Sequence, residues 1–210
     1  LMVGGSIAGF ATSAVADEDQ SGCSYGQGGP KADALCWIDM SGFGNVTAAE
    51  LADPANADGI SKDLTINLGR YTMTTKATVK KGPDGASGVE AAALPTWGGS
   101  VLGSTQSGQG YYLGTKGKPA LYQPVAKPDV AKDFAQRDSI TLSDIKVYDN
   151  TERKFVTDGY SLVIADAEST GPTHEGFTWT SDKPLNKYTE ATPNGSNWIA
   201  PCSEKVTGLG

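Results

Sequence analysis

The sequence predicts an all-β domain, a sandwich or jelly-roll with long Gly-rich loops and little helix. Three observations predict it. Apolar and polar residues alternate over residues 64–68 (LTINL), 71–79 (YTMTTKATV) and 139–148 (SITLSDIKVY). That period of two puts successive side chains on opposite faces of a strand. Turn chemistry separates the runs, at Lys81-Gly82-Pro83-Asp84-Gly85 and at Asp149-Asn150. The 210 residues include 27 glycines and 11 prolines, with 38 % hydrophobic and 20 % charged residues. Such a composition suits short strands joined by turns and lacks the low complexity of a disordered chain.

Taken in order, residues 1–15 (LMVGGSIAGFATSAV) are apolar and rich in small side chains, and Ala14-Val15-Ala16 has the A-x-A form of a signal-peptidase site. Residues 1–16 therefore read as the remnant of a secretory signal peptide without its basic start. The run is too short, and too rich in Gly and Ser, for a membrane span. Residues 17–34 read as a polar, Gly-rich lead-in, and residues 35–210 as the domain proper, with the natural chain expected to continue beyond it. Residues 36–40 (CWIDM) suit a strand with Cys36, Ile38 and Met40 on one face. The one helical signal is Thr47 three residues before Glu50, a capping box for a short turn that stops by Pro54.

Residues 82–110 form a long Gly/Ala/Ser-rich excursion that holds Trp97, and short strands are expected at 110–114 and 120–124. Within 139–148, Ile140, Leu142, Asp144, Lys146 and Tyr148 share one parity, and Thr141, Ser143, Ile145 and Val147 the other. Residues 160–165 (YSLVIA) are nearly continuously apolar, the pattern of a central strand buried on both faces. Residues 177–180 (FTWT) suit a further strand. No internal repeat is visible.

A formal net charge of −7 argues against nucleic acid as a partner, because a phosphate backbone needs a basic footprint. Lys80-Lys81 and Arg153-Lys154 read as turn or edge charges. His174 is the only histidine and no G-x-S-x-G elbow accompanies it, so the chain does not read as an enzyme. Asp166 and Glu168 stand two apart at the end of an apolar run, on one face. Two carboxylates so placed call for a neutralising partner. Calcium would serve, with Glu175 or a loop carbonyl completing the oxygen set; hydrogen bonds from the following loop would serve as well. No D-x-D-x-D-G loop supports the metal.

Trp97, Tyr111, Tyr112, Tyr122 and Trp179 are large aromatics near Gly-rich loops, the equipment of glycan and peptide recognition. Trp97 and Tyr112 are the ligand-facing candidates, with Asp166, Glu168 and Glu175 as polar anchors. Trp37 and Trp179 are assigned to core packing. Three cysteines, Cys23, Cys36 and Cys202, leave one over after a single disulfide. Cys36 is expected to pair with Cys202 or Cys23, with Cys36–Cys202 the predicted bond. A Cys36 thiol could instead form a thioester with Gln106, Gln109, Gln123 or Gln136.

Six segments, in this order, resemble one family: residues 35–43 (LCWIDMSGF), 71–73 (YTM), 94–97 (LPTW), 117–122 (GKPALY), 140–145 (ITLSDI) and 163–170 (VIADAEST). The family is the ligand-binding non-repetitive domain of CshA-type surface adhesins. The resemblance covers about residues 35–210. It implies a lectin-like β-sandwich in a long, secreted, wall-anchored fibrillar or pilus-like protein of a Gram-positive cell surface. It also implies a non-catalytic role, binding an extracellular glycan or matrix glycoprotein. No binding residue is carried over from the family. The alternatives are a structural pilin or stalk module, or a covalent thioester adhesin using Cys36.

Overall fold

The computed structural model describes residues 2–7, 22–26, 33–83, 88–93, 115–122, 138–165 and 179–186. Among the described residues, eleven strands are Met2–Ile7 (β1), Cys23–Tyr25 (β2), Leu35–Ile38 (β3), Asn45–Val46 (β4), Ile60–Leu68 (β5), Tyr71–Lys80 (β6), Val89–Ala92 (β7), Ala120–Tyr122 (β8), Ser139–Asp149 (β9), Lys154–Val156 (β10) and Tyr160–Ala165 (β11). One helix, Ala48–Ala52 (α1), is followed by a 3-10 turn at Pro54–Asn56. Every strand pair is antiparallel. Four strands form a sheet in the order β10-β9-β6-β5. The other seven form a second sheet, β2-β3-β1-β8-β7-β4, with β11 also paired to β1. The fold is thus an all-β sandwich.

A single core joins the two sheets. Leu64, Ile66, Met73, Ala77, Val79 and Val147 of the four-stranded sheet meet Ile38, Val46, Val89, Ala91 and Leu121 of the other, with Met40, Phe43 and Leu51 between them. The alternation read in the sequence supplies these faces. Along β6, Met73, Thr75, Ala77 and Val79 are buried, while Thr72, Thr74, Lys76, Thr78 and Lys80 stand on the other face. The expected capping box forms, with Glu50 N–H donating to Thr47 Oγ1 and Thr47 N–H donating to Glu50 Oε2. It starts the short helix that buries Leu51.

Strand β5 lies at the sheet edge, and its core-side Lys62 is held by carbonyls. Lys62 Nζ donates to Phe43 O at 2.6 Å and Asn45 O at 3.2 Å, 5.1 Å from the Phe43 ring centre. An inward-pointing charge of this kind discourages edge-to-edge pairing. The β5–β6 hairpin closes in two residues, Gly69 and Arg70, with Leu68 opposite Tyr71. Gly69 takes φ +74°, which an L side chain resists, and its N–H donates to Asn67 Oδ1.

The β6–β9 ladder contains a bulge. Thr74 pairs with Lys146, but the next pair on that face is Lys76 with Ser143. Strand β9 therefore spends one extra residue around Asp144, whose φ is +53°. This corrects the unbroken alternation expected over 139–148. Ile140 and Leu142 pack inward on one parity, Ile145 and Val147 on the other, and all four join the core. The buried Thr75 secures the irregularity by donating its hydroxyl to Ser143 O at 2.9 Å.

Several segments differ from the sequence reading. Residues 23–25, expected in a lead-in loop, form β2, and Val89–Ala92, inside the supposed excursion, forms β7. Among the described residues β11 pairs only with β1, and Ile164 is 39 % exposed, so this strand is not buried on both faces. Tyr160 and Leu162 pack against the core, while Ile164, on the same parity, is exposed towards the strand's end. Trp179 and Thr180 lie outside any strand. Residues 2–7, read as part of a leader, are paired with β11, β3 and β8; an uncharged apolar segment suits a strand as well as a leader. Trp37 is in the core, as expected.

Cys36 is disulfide-bonded to Cys23, not to Cys202, with Cα atoms 5.5 Å apart. The reason is register. Tyr25 sits opposite Cys36, and Cys23 opposite Ile38, so β2 lays its cysteine beside β3. The bond also takes the sulfur that a Cys36 thioester would need. A non-reducing digest is expected to yield a linked Cys23–Cys36 peptide; a Cys36–Cys202 peptide would contradict the register. Met73→Ala, at a site only 1 % exposed, is expected to cost about 2–5 kcal/mol in denaturant unfolding, as core truncations do.

Candidate functional site

The outer face of the four-stranded sheet carries the clearest candidate site. Register builds it. Thr72 lies opposite Tyr148 and Thr74 opposite Lys146 across β6–β9, and Phe155 lies opposite Tyr148 across β9–β10. Thr72, Thr74, Lys146, Tyr148, Asn150 and Phe155 line a groove of about 400 Å³. Phe155 is 61 % exposed. Its ring meets Tyr148 edge-on, centroids 5.3 Å apart and planes at 74°, a favoured aromatic geometry. Asn150 Nδ2 donates to Thr72 Oγ1 at 3.0 Å, fixing the amide at the groove's end.

The hairpin that presents these side chains is held by Asp149, whose side chain is buried on the inner face. Asp149 Oδ1 accepts the N–H groups of Thr151 and Glu152 at 2.9 and 3.0 Å, shaping the β9–β10 turn. Asp149 Oδ2 accepts from Arg70 Nε at 2.9 Å and faces Arg70 Nη2 at 2.6 Å. Arg70 also reaches Glu152, which in turn pairs with Lys154. Asn150 N–H donates to Arg70 O at 3.0 Å. The β5–β6 turn and the β9–β10 turn are thereby clamped together. The hydrogen bond from Arg70 lowers the Asp149 pKa to about 2, against burial, with the Glu152 and Thr151 amides and the Arg70 charge adding to the effect.

A second polar node ties loops at the other sheet. Asp39 Oδ1 accepts from Ser41 N–H at 2.9 Å and Lys118 N–H at 3.1 Å, and also from the Ser41 hydroxyl. Burial opposes its ionisation, but the Ser41 and Lys118 hydrogen bonds outweigh it and hold the carboxyl below its usual value. Gly117 is required beside it: φ is +79°, and a Cβ there would come within 2.7 Å of Asp39 Oδ2. This node positions the segment leading into β8 and lines no aromatic surface.

Among the described residues, the groove presents an apolar ring, hydroxyls, an amide and a cation. A sugar presents the complement, a C–H face rimmed by hydroxyls. The residues singled out in the sequence, Trp97, Tyr112, Asp166, Glu168 and Glu175, lie outside the described residues, as do Cys202 and His174. Tyr122 is exposed on β8. Among the described residues no group of three His, Cys, Asp or Glu side chains could hold a metal; the calcium expectation rests on Asp166 and Glu168. Sequence reading passed over Phe155. A signal existed: counting outward from the turn after Asp149 pairs Phe155 with the outward-facing Tyr148.

The family model described as surface adhesin CshA non-repetitive domain 2 matches residues 33–200. The chain belongs to this family. The match confirms the resemblance read from the six segments and includes the whole groove and its clamp. No curated protein and no solved structure matches the chain. Membership gives the domain a cell-surface adhesion role and an extracellular setting. Among the described residues, no helix is long and apolar enough to cross a membrane. The Cys23–Cys36 disulfide fits an oxidising compartment.

The Asp149 clamp makes stability depend on pH. Its folded pKa of about 2 lies below the ordinary value of 3.8. The stabilisation is therefore complete above the ordinary value and is lost as pH falls through the folded one. Asp149→Asn is expected to lower the thermal midpoint at neutral pH. Melts at stepped pH should show the gap to wild type closing between about pH 4 and pH 2.

Proposed function

We propose that this domain is a non-catalytic adhesion module that holds an extracellular glycan, free or carried on a matrix glycoprotein, against the outer face of the four-stranded sheet. The observation that carries this reading is Phe155. A phenyl ring 61 % exposed gains nothing from core burial, yet it is steadied by Tyr148 and bordered by Thr72, Thr74, Asn150 and Lys146. Exposed aromatics set among fixed polar groups mark recognition surfaces. The described lining offers aromatic rings, hydroxyls, an amide and an ammonium, groups suited to contact with a sugar. Attachment of the whole protein to a cell wall belongs to the same proposal.

Trp97, Tyr112, Asp166, Glu168 and Glu175 enter this proposal as a second set of contacts, with calcium as the ion that Asp166 and Glu168 would hold. A stalk or spacer role predicts that no substitution on the groove alters binding.

The test uses the purified domain on a glycan array and on immobilised matrix glycoproteins, with and without calcium. Phe155→Ala is expected to weaken binding by at least about tenfold, the effect of losing an aromatic anchor. Its thermal midpoint should stay close to wild type, because the ring is exposed. Trp97→Ala and Asp166→Ala test the second set in the same measurement. Unchanged binding by Phe155→Ala, or no ligand on either surface, would overturn the groove as the adhesive site.

A further inference from the structure

We infer that the glycan taken by this groove is acidic, with Lys146 reading a carboxylate or sulfate on the sugar that Phe155 supports. The inference rests on the groove being the ligand site. Among the described residues, Lys146 is the only charged one in the lining. It stands opposite Thr74 on the same outer face as Tyr148. Two residues along a strand place its backbone about 7 Å from that of Tyr148, within reach of a substituent on a ring seated against the aromatic pair.

The bulge matters here. Without the extra residue around Asp144, Lys146 and Tyr148 could not share the outer face while Ile140 and Leu142 faced inward. The core thus fixes the cation beside the aromatics.

Among the described residues, no nearby carboxylate neutralises Lys146. No ion pair engages it among the described residues. Glu152 is taken by Arg70 and Lys154, and Asp149 by Arg70. Asp144 is the nearest acid in sequence, and its contact is with the Ser143 hydroxyl at 3.5 Å. Asp63 lies across from Lys76, one strand further away. An ammonium on the rim of a hydroxyl-lined groove, with Lys76 on the same outer face, gives that spot a positive sign in a chain of net charge −7. Local charge of this kind selects among ligands more than it adds raw affinity.

The experiment compares matched glycans in solution: sialylated, uronic-acid-containing and sulfated sugars, each against its neutral counterpart, plus a DNA oligomer. Wild type is expected to prefer at least one acidic member. Lys146→Gln should weaken that member by about fivefold relative to its neutral counterpart, the range of an exposed ion pair. Raising salt from about 0.05 to 0.5 M should erode wild-type binding to the acidic sugar and spare the variant. Lys146→Arg should retain the preference. Which acidic sugar responds identifies the source of the charge.

If Phe155→Ala loses binding while Lys146→Gln keeps the full preference, the acid reading is overturned and the groove stands. Equal binding of acidic and neutral sugars overturns it too. If DNA binds as well as the acidic sugar, the site reads charge alone and the glycan assignment fails. If Phe155→Ala has no effect on any sugar, the groove itself is wrong.

Discussion

Strand β6 serves two surfaces at once, and the period of two along it couples them. Met73, Ala77 and Val79 face the core while Thr72, Thr74 and Lys76 face out. A shift of one residue would expose the first set and bury the second. The core therefore determines which side chains reach the outer face. The same constraint passes to β9 through pairing, and from β9 to β10, so that Tyr148, Lys146 and Phe155 are placed by the burial of Val147 and its neighbours.

Where the ladder ends, polar contacts take over the task. The two turns beside the groove have few apolar side chains of their own, and their positions are set by Asp149 and Arg70. A buried carboxylate is costly unless its hydrogen bonds are met. Asp149 meets them with two backbone amides and a guanidinium, which explains why an ionised group can sit on the inner face of the sheet. Asp39 plays a comparable part for the loops of the other sheet, using Ser41 and Lys118.

Much of this was legible in the residues, and the limits have physical causes. The strands at 64–68 and 71–79 showed because one covered face leaves a period in the sequence, and the helix start showed because Thr47 and Glu50 stand at capping spacing. The bulge left a trace in the conflicting parities of Ile140 and Ile145, which a regular strand cannot reconcile. Asp149 read only as a turn residue, since its partner Arg70 is 79 positions away in sequence. The disulfide was ambiguous because spacing carries no register; Cys23 becomes the partner once β2 is laid on β3. Phe155 was hidden by its neighbours, since a lone aromatic among charges looks alike on an edge or in a loop. The site residues nominated from loops rested on composition, which marks a stretch as unusual without giving its side chains a direction.

The bulge at Ser143 and Asp144 has a mechanical side. A domain that tethers a cell transmits pull through its strands, and long antiparallel neighbours can slip past one another under shear. Here slippage of β9 along β6 meets a stop. The extra residue sits opposite Thr75, whose hydroxyl donates to Ser143 O. Any slide would also tear Asp149 from Arg70 at the far end of the same ladder. The two fastenings sit at separate points along one strand pair, so load must break both before the sheet can creep.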